Sequence, residues 1–126
     1  MEEKILIFKV GKLWVFKHLF DIEMYDILSE YYNKQRHRFE CNNVGTRNKV
    51  FKFLDKKGFV PKLVEDYKGY LVKVETRKRY ASILRNSITK RRVVGGTVFL
   101  MSSPEAVDMA LKEGAKHYNG EIKFLF

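Results

Sequence analysis

Cysteine is nearly absent from the chain, which contains one, Cys41, among 126 residues. A single cysteine forms no internal disulfide and supplies no cysteine-rich zinc site, so both kinds of scaffold are excluded. Long apolar runs are also missing, since "ILIF" near the start stops at Lys9, whereas a membrane span needs about 18 apolar residues. These absences predict a cytoplasmic protein that does not insert into a membrane.

Linker sequence is scarce as well. The chain has only two prolines, no Pro-, Gly- or Ser-rich segment and no internal repeat. Its hydrophobic content of 45% is enough to fill a core, which excludes a disordered basic tail. A length of 126 residues then predicts one domain, 1–126.

Acidic residues are the most informative shortage. The chain has 25 Lys and Arg against 15 Asp and Glu, for a formal net charge of +10. No acid occurs between Glu75 and Glu105, an interval that holds "RKRYASILRNSITKRRVVGG" at 77–96. Such uncompensated charge favours a polyanionic partner, nucleic acid before an anionic membrane surface, although a solvated basic face is the alternative.

The hydrophobic periodicity predicts the following elements. The first half reads as a hairpin over 4–20, a helix from Asp21 to about Lys34, a helix from Thr46 to Lys57, and a second hairpin over 59–75. The second half reads as an amphipathic helix over 77–88, a strand over 92–101, a helix capped by Ser103, and a last strand over 121–126. This order, ββ-α-α-ββ-α-β-α-β, predicts a two-layer α+β fold with about four helices on a mostly antiparallel sheet of about five to six strands.

Cations spaced along the chain are candidates for phosphate contacts, because a nucleic-acid site must neutralise successive phosphates. The glycine pair Gly95–Gly96 follows three of them and would let backbone approach an anion closely. A second cluster surrounds "FECNNVGT" at 39–46. The predicted phosphate contacts are Arg77, Lys78, Arg79, Lys90, Arg91, Arg92, Arg47 and Lys49.

Aromatic residues beside these cations are candidates for base stacking, since single strands are held by rings between basic rims. The four rings selected are Trp14, Phe39, Tyr70 and Tyr80. The first hairpin also carries apolar residues on both faces, part of which would be open to bases. For each ring, packing in the core is the alternative.

Other chemistries have weaker support. "TRNKVFKFLDKKGF" at 46–59 followed by a hairpin suggests a winged helix that binds duplex DNA. A Mg²⁺-dependent nuclease needs paired acids on neighbouring strands, but Glu105 is predicted in a helix and Glu121 in a strand. The histidines are scattered, and a Cys41–His37 pair lacks a third partner, so we expect no enzyme, metal or cofactor.

The layout resembles the thermophilic archaeal single-stranded-DNA-binding proteins of the ThermoDBP type. The residues that carry this resemblance are "NNVGTRNKVFKFLDKKGF" at 42–59, the aromatic segment after it, the basic helix and the closing β-α-β. The resemblance implies a sheet-lined cleft that takes bases against apolar and aromatic side chains, with Lys and Arg at its rim. The chain ends without the heptads that some members use to dimerise, so any homodimer would form otherwise, or not at all.

The sequence therefore predicts non-enzymatic binding of single-stranded nucleic acid, DNA or RNA, with little sequence specificity. A basic rim would hold the phosphates, and an aromatic and apolar sheet surface would hold the bases. The alternative is a basic module for protein interaction or for assembly with ribosomal RNA.

Overall fold

The computed structural model describes residues 3–124, which divide into two compact units, Met1–Glu65 and Asp66–Phe126. Each unit combines helices with a mostly antiparallel sheet, so the predicted α+β class is confirmed. The described residues form nine strands in sheets of five and four, where the sequence predicted one sheet of about five to six. The assignment of 1–126 to one binding domain stays a prediction.

The first unit is built on a five-stranded sheet. Its elements are β1 (Glu3–Val10), β2 (Leu13–Phe16), α1 (Ile22–Leu28), β3 (Tyr32–Asn33), β4 (Arg38–Cys41), α2 (Val44–Lys56) and β5 (Phe59–Val64). The strands lie in the order β3-β4-β2-β1-β5, and only the β1–β5 pair is parallel. The predicted first hairpin is confirmed, with β1 and β2 joined by a turn in which Gly11 has a φ of 60°.

Local capping explains where the helices of the first unit begin. The Asp21 carboxylate accepts the Met24 N–H at 2.9 Å and starts α1, as predicted. Asn43, three residues before the predicted cap, accepts the Thr46 N–H at 2.7 Å and starts α2. α1 ends well before residue 34, because Tyr32 and Asn33 pair with β4 instead.

One face of this sheet packs against the two helices. Across it, Trp14 lies opposite Cys41 and Phe16 opposite Phe39, and the Phe16 and Phe39 rings stack with centroids 5.0 Å apart. The helices cover this face with a small set of buried side chains: Met24, Leu28, Val50 and Leu54. An aromatic-rich core thereby holds the first unit together.

The second unit carries the four-stranded sheet. Its elements are β6 (Leu71–Glu75), α3 (Ala81–Arg85), β7 (Ser87–Val93), β8 (Gly96–Met101), α4 (Pro104–Lys112) and β9 (Lys116–His117). The order β7-β8-β6-β9, with chain order β-α-β-β-α-β, is the split β-α-β arrangement also called ferredoxin-like. Helices α3 and α4 cover a core that includes Val72, Phe99 and Met101. α4 begins as predicted, with Ser103 Oγ accepting the Ala106 N–H and Pro104 in the first turn.

Four predicted elements of this region are wrong. The segment 59–75 is not a hairpin, because β5 pairs with β1 and β6 pairs with β8 and β9. The helix predicted over 77–88 is only α3, and the strand predicted over 92–101 is the β7–β8 hairpin. Residues 121–124 form no strand, and Leu125 and Phe126 lie outside the described residues. β9, which follows α4, pairs antiparallel with β6.

None of the helices within residues 3–124 has the length and apolar content needed to cross a membrane.

Candidate nucleic-acid interface

Two segments of the second unit carry the cations of the acid-free interval. Arg77, Lys78 and Arg79 lie in the loop between β6 and α3, and all three are exposed. The backbone fixes this loop beside the β7–β8 turn, since the Thr76 N–H donates to the Gly95 carbonyl at 3.0 Å. The loop and the hairpin turn therefore meet at one end of the sheet.

The other cations lie on β7, which is the edge strand of its sheet. Neighbouring side chains on a strand point to opposite faces. Lys90 pairs with Phe99 and shares the helix-covered side with Arg92, and the Lys90 ammonium lies 5.9 Å from the centroid of the Tyr80 ring. Arg91 points to the other face, where its guanidinium donates to the Lys123 carbonyl at 2.6 Å. The expected group Lys90–Arg92 is thus split between two faces.

We call five of these residues the basic rim: Arg77, Lys78, Arg79, Lys90 and Arg92. The nearest acid is Glu75, whose carboxylate lies 4.0 Å from the Lys78 ammonium and 3.8 Å from that of Lys116. Exposed pairs of this kind contribute little, and the other four rim cations form no ion pair with a described residue. Charge on an edge strand also deters edge-to-edge aggregation, which is the structural alternative to a binding role.

Tyr80 is the predicted ring that stays accessible. It is 40% exposed, directly precedes α3, and contacts Phe99 with ring centroids 5.5 Å apart. Tyr70 is half-buried and packs against the core of the second unit. Tyr80 also lies beside a cation of the basic rim, Lys90.

The two rings predicted in the first unit are closed to bases. Phe39 is 1% exposed and sits between Phe16 and Tyr32 in the core. Trp14 is 9% exposed, with the Lys9 ammonium 3.6 Å from its ring centroid and the Arg47 guanidinium 5.0 Å away. Both expectations are corrected by burial: the cross-strand partners and covering cations occupy the ring faces that a base would need.

The expected apolar sheet surface is also closed. In the first unit, Phe8 and Val15 point away from the helices, yet both are buried. In the second unit, the same holds for Leu71, Val98 and Leu100. The strand centres therefore offer no apolar platform for bases in either sheet, which leaves the loop and edge positions.

The second basic cluster divides into paired and solvent-facing cations. Arg38 is only 2% exposed, and its Nε donates to Glu40 at 2.7 Å, while Arg36 lies 3.4 Å from the same carboxylate. Burial alone would raise the pKa of the Glu40 carboxyl, but the hydrogen bonds from Arg38 and Asn33 and the nearby positive charges outweigh it and lower that pKa. Arg36 and Arg38 are therefore bound to the Glu40 carboxylate of β4 and are not open phosphate ligands.

The predicted contacts of α2 have different surroundings. Arg47 is half-buried and covers the rings of Trp14 and Phe51, whereas Lys49 is exposed. Lys52 and Lys56 follow Lys49 at helical spacing and are exposed too. Lys56 is missing from the predicted contacts, although its spacing from Lys49 was a sufficient signal.

The residues considered for a nuclease and for a Cys–His pair do not have the placement that these chemistries need. Glu105 lies in the first turn of α4, and Glu121 lies in a segment without regular structure. Burial raises the pKa of the Cys41 thiol to about 11, and His37 is exposed in a turn with a φ of 54°. Residues 3–124 contain no group of three or more His, Cys, Asp or Glu side chains that could hold a metal. The strands that follow α2 lie in different sheets, so the hairpin that a winged helix requires is not formed there.

No protein-family model matches the chain, and no curated protein or solved structure matches it at a significant level. The resemblance to the ThermoDBP type accordingly stays a prediction.

Proposed function

We propose that the protein binds single-stranded nucleic acid, DNA or RNA, at the basic rim, without catalysis and with little sequence preference. The observation that supports this proposal is the Lys90 ammonium 5.9 Å from the partly exposed ring of Tyr80, on a strand whose turn is hydrogen-bonded to the loop that carries the exposed Arg77, Lys78 and Arg79. The rim cations contact phosphates, and Tyr80 stacks one base.

The chemistry of the rim suits an unpaired strand better than a duplex. A single strand presents base faces beside its phosphates. An aromatic ring with cations around it can stack one base while a cation contacts the neighbouring phosphate. Lys90 lies near the Tyr80 ring, so a base stacked there has its phosphate within reach of a cation. Stacking accepts every base, which accounts for the low sequence preference.

The proposed site is smaller than the sequence-based one. Arg91 is not part of it, because it points to the opposite face of β7 and donates to the Lys123 carbonyl. Arg47 and Lys49 belong to the first unit. Trp14 and Phe39 are not part of it, because both rings are buried.

Fluorescence anisotropy with labelled single strands of several sequences tests the proposal. Lys90→Glu with Arg92→Glu is expected to weaken binding to all sequences alike, by about tenfold or more, because phosphate contacts carry no sequence information. Lys12→Glu with Lys112→Glu changes the net charge equally, uses exposed lysines outside the rim, and is expected to have a much smaller effect. Equal losses in both double variants would reject the rim as the site.

Tyr80 is tested separately. Tyr80→Ala is expected to cost about 1–3 kcal/mol of binding free energy if the ring stacks a base, while Tyr80→Phe keeps the affinity. Because Tyr80 also contacts Phe99, the melting temperature of each variant is measured in parallel. A lowered melting temperature with unchanged affinity would assign the ring to packing alone.

A second candidate, a protein-interaction or ribosome-associated module, is favoured by exposed aliphatic side chains. Leu19 and Ile22 are 89% and 82% exposed on either side of the cap of α1. Two measurements separate this candidate from the first. The anisotropy titrations are repeated with labelled RNA, and sedimentation shows whether the protein forms a homodimer. Two results together would favour the second candidate. One is self-association that is lost in the double variant Leu19→Ser with Ile22→Ser, and the other is no binding of single-stranded nucleic acid.

A further inference from the structure

A second cationic surface lies on α2, apart from the residues assigned to the basic rim. It consists of Lys49, Lys52 and Lys56, which we call the α2 stripe. The three residues are separated by three and four positions, so they lie one above another on one side of the helix. The whole stripe is exposed.

The core of the first unit fixes which side of α2 faces solvent. Val50 and Leu54 are buried on the inner side, one turn apart. At about 100° per residue, the α2 stripe falls roughly opposite those two side chains. Its orientation is therefore set by packing, and its three ammonium groups project from a regular α-helix.

The charge of the α2 stripe is not compensated. Its three lysines form no ion pair with any described residue, and Asp55 is the only acid of the helix. The first turn contains no acid either, so the positive end of the helix dipole adds to the field of the lysines. Gly45, four residues before Lys49, continues the stripe without a side chain to block an approaching anion.

The α2 stripe also differs from the basic rim in having no aromatic residue. Phe51 and Phe53 of the same helix are half-buried and pack against the core, and Phe53 borders the stripe beside Lys49 and Lys56 without being exposed. A surface with cations and no ring contacts phosphates alone, so it gains nothing from unpaired bases. From Lys49 to Lys56 the helix rises about 10 Å, a length that spans about three phosphates of one duplex strand at about 3.4 Å of axis each. Regularly spaced cations of this reach suit the fixed phosphate array of a duplex.

We propose that the α2 stripe binds the phosphate backbone of duplex nucleic acid. The proposal deepens the proposed function and rests on it in one respect, namely that nucleic acid is the partner of the chain. Each unit then holds a different state of the nucleic acid: the basic rim an unpaired strand, and the α2 stripe a duplex.

Anisotropy with a labelled blunt duplex and a labelled single strand tests this assignment on the full chain. Lys49→Glu, Lys52→Glu and Lys56→Glu together are expected to reduce duplex affinity at least about tenfold and single-strand affinity less than about twofold. For duplex, log K against log salt becomes shallower by about 2.7, that is, about 0.9 for each of three lost contacts. Loss of both affinities to the same degree, or of neither, would overturn the proposal.

Two controls separate the α2 stripe from net charge and from helix stability. Lys12→Glu, Lys62→Glu and Lys112→Glu together make the same charge change at exposed lysines elsewhere, and duplex affinity is expected to stay close to that of the unaltered chain. Lys49→Gln, Lys52→Gln and Lys56→Gln remove the cations without placing acids near the carboxyl end of α2. Melting temperatures show whether each variant is folded, and a folded Gln variant that keeps duplex affinity also overturns the proposal.

Competition distinguishes failure of this inference from failure of the proposed function. With separate surfaces, an excess of unlabelled single strand leaves most of the labelled duplex bound. Complete displacement, with a midpoint near the single-strand dissociation constant, would mean one shared site, and the α2 assignment would fail while the basic rim stands. Duplex binding that depends on the α2 stripe, with no single-strand binding at all, would instead reject the proposed function and keep the α2 assignment.

Discussion

At the scale of single residues, the pair Gly95–Gly96 has a structural role in place of the anion contact expected from the sequence. Gly95 takes a φ of 84° in the β7–β8 turn, a conformation that favours glycine. A Cβ added to Gly96 would lie 2.1 Å from the Val74 carbonyl oxygen. The close backbone approach expected for an anion is therefore made by the neighbouring strand β6, and the pair is needed to close the sheet.

Gly96→Ala is accordingly expected to destabilise the protein by about 1–3 kcal/mol, because backbone rather than a flexible side chain opposes the new methyl group. Gly69→Ala is the matched control, since nothing lies within 4 Å of its added Cβ and its φ is not positive. Chemical denaturation followed by circular dichroism measures both. A Gly96→Ala variant as stable as the control would contradict the close approach.

The local sequence does not distinguish aromatic rings of the core from solvent-exposed rings. Phe39 and Tyr80 both have cations as neighbours in the chain, and nothing local distinguishes them. Phe39 is buried because β4 pairs with β2 and brings Phe16 against it, whereas Tyr80 precedes a short helix at the end of a loop. Burial here depends on strand pairing over long sequence distances, which periodicity does not report.

At the scale of elements, predictions succeeded where the cause was local. The caps at Asp21 and Ser103 each depend on residues within four positions, and the first hairpin joins neighbouring segments; all three were identified from sequence. The partner of β5 was missed, because β5 reaches back to β1, more than fifty residues earlier. The strand character of 87–93 was also missed, since its cations concealed the alternation of an edge strand.

Strand β4 carries a polar pair whose contribution depends on pH. Because the pKa of Glu40 in the folded state lies below its usual 4.5, the pair adds stability above that value and loses it as the pH falls through the folded pKa. Glu40→Gln removes the carboxylate to which buried Arg38 donates, so we expect a loss of about 2 kcal/mol or more at pH 7.

The difference between Glu40→Gln and the unaltered protein is expected to shrink as the pH is lowered below 4.5, since the native carboxyl then becomes neutral as well. Glu65→Gln, an exposed acid without an ion pair among the described residues, serves as the control and should change stability by less than about 0.5 kcal/mol. Denaturation at pH 7 and at several acidic pH values measures both variants. A Glu40→Gln effect that is constant across the range would show that shape, not charge, determines it.

At the scale of the whole molecule, the net charge of +10 attracts any polyanion, so affinity alone does not identify a site. Salt dependence is more specific because it counts the phosphates that are neutralised. A single strand held by five to seven cations predicts a slope of about −3.5 to −5 for log K against log salt, at about −0.7 per phosphate. The five residues of the basic rim correspond to the shallow end of that range.

The slope also separates the basic rim from diffuse attraction. Lys90→Glu with Arg92→Glu is expected to make the single-strand slope shallower by about 1.4, since two contacts are lost. Lys12→Glu with Lys112→Glu lowers the overall charge equally and should leave the slope nearly unchanged. Titrations at four or more salt concentrations supply the measurement. An affinity of the unaltered protein that does not change with salt would exclude phosphate binding. Equal changes of slope in the two double variants would show that the overall positive charge, and not the basic rim, attracts the strand.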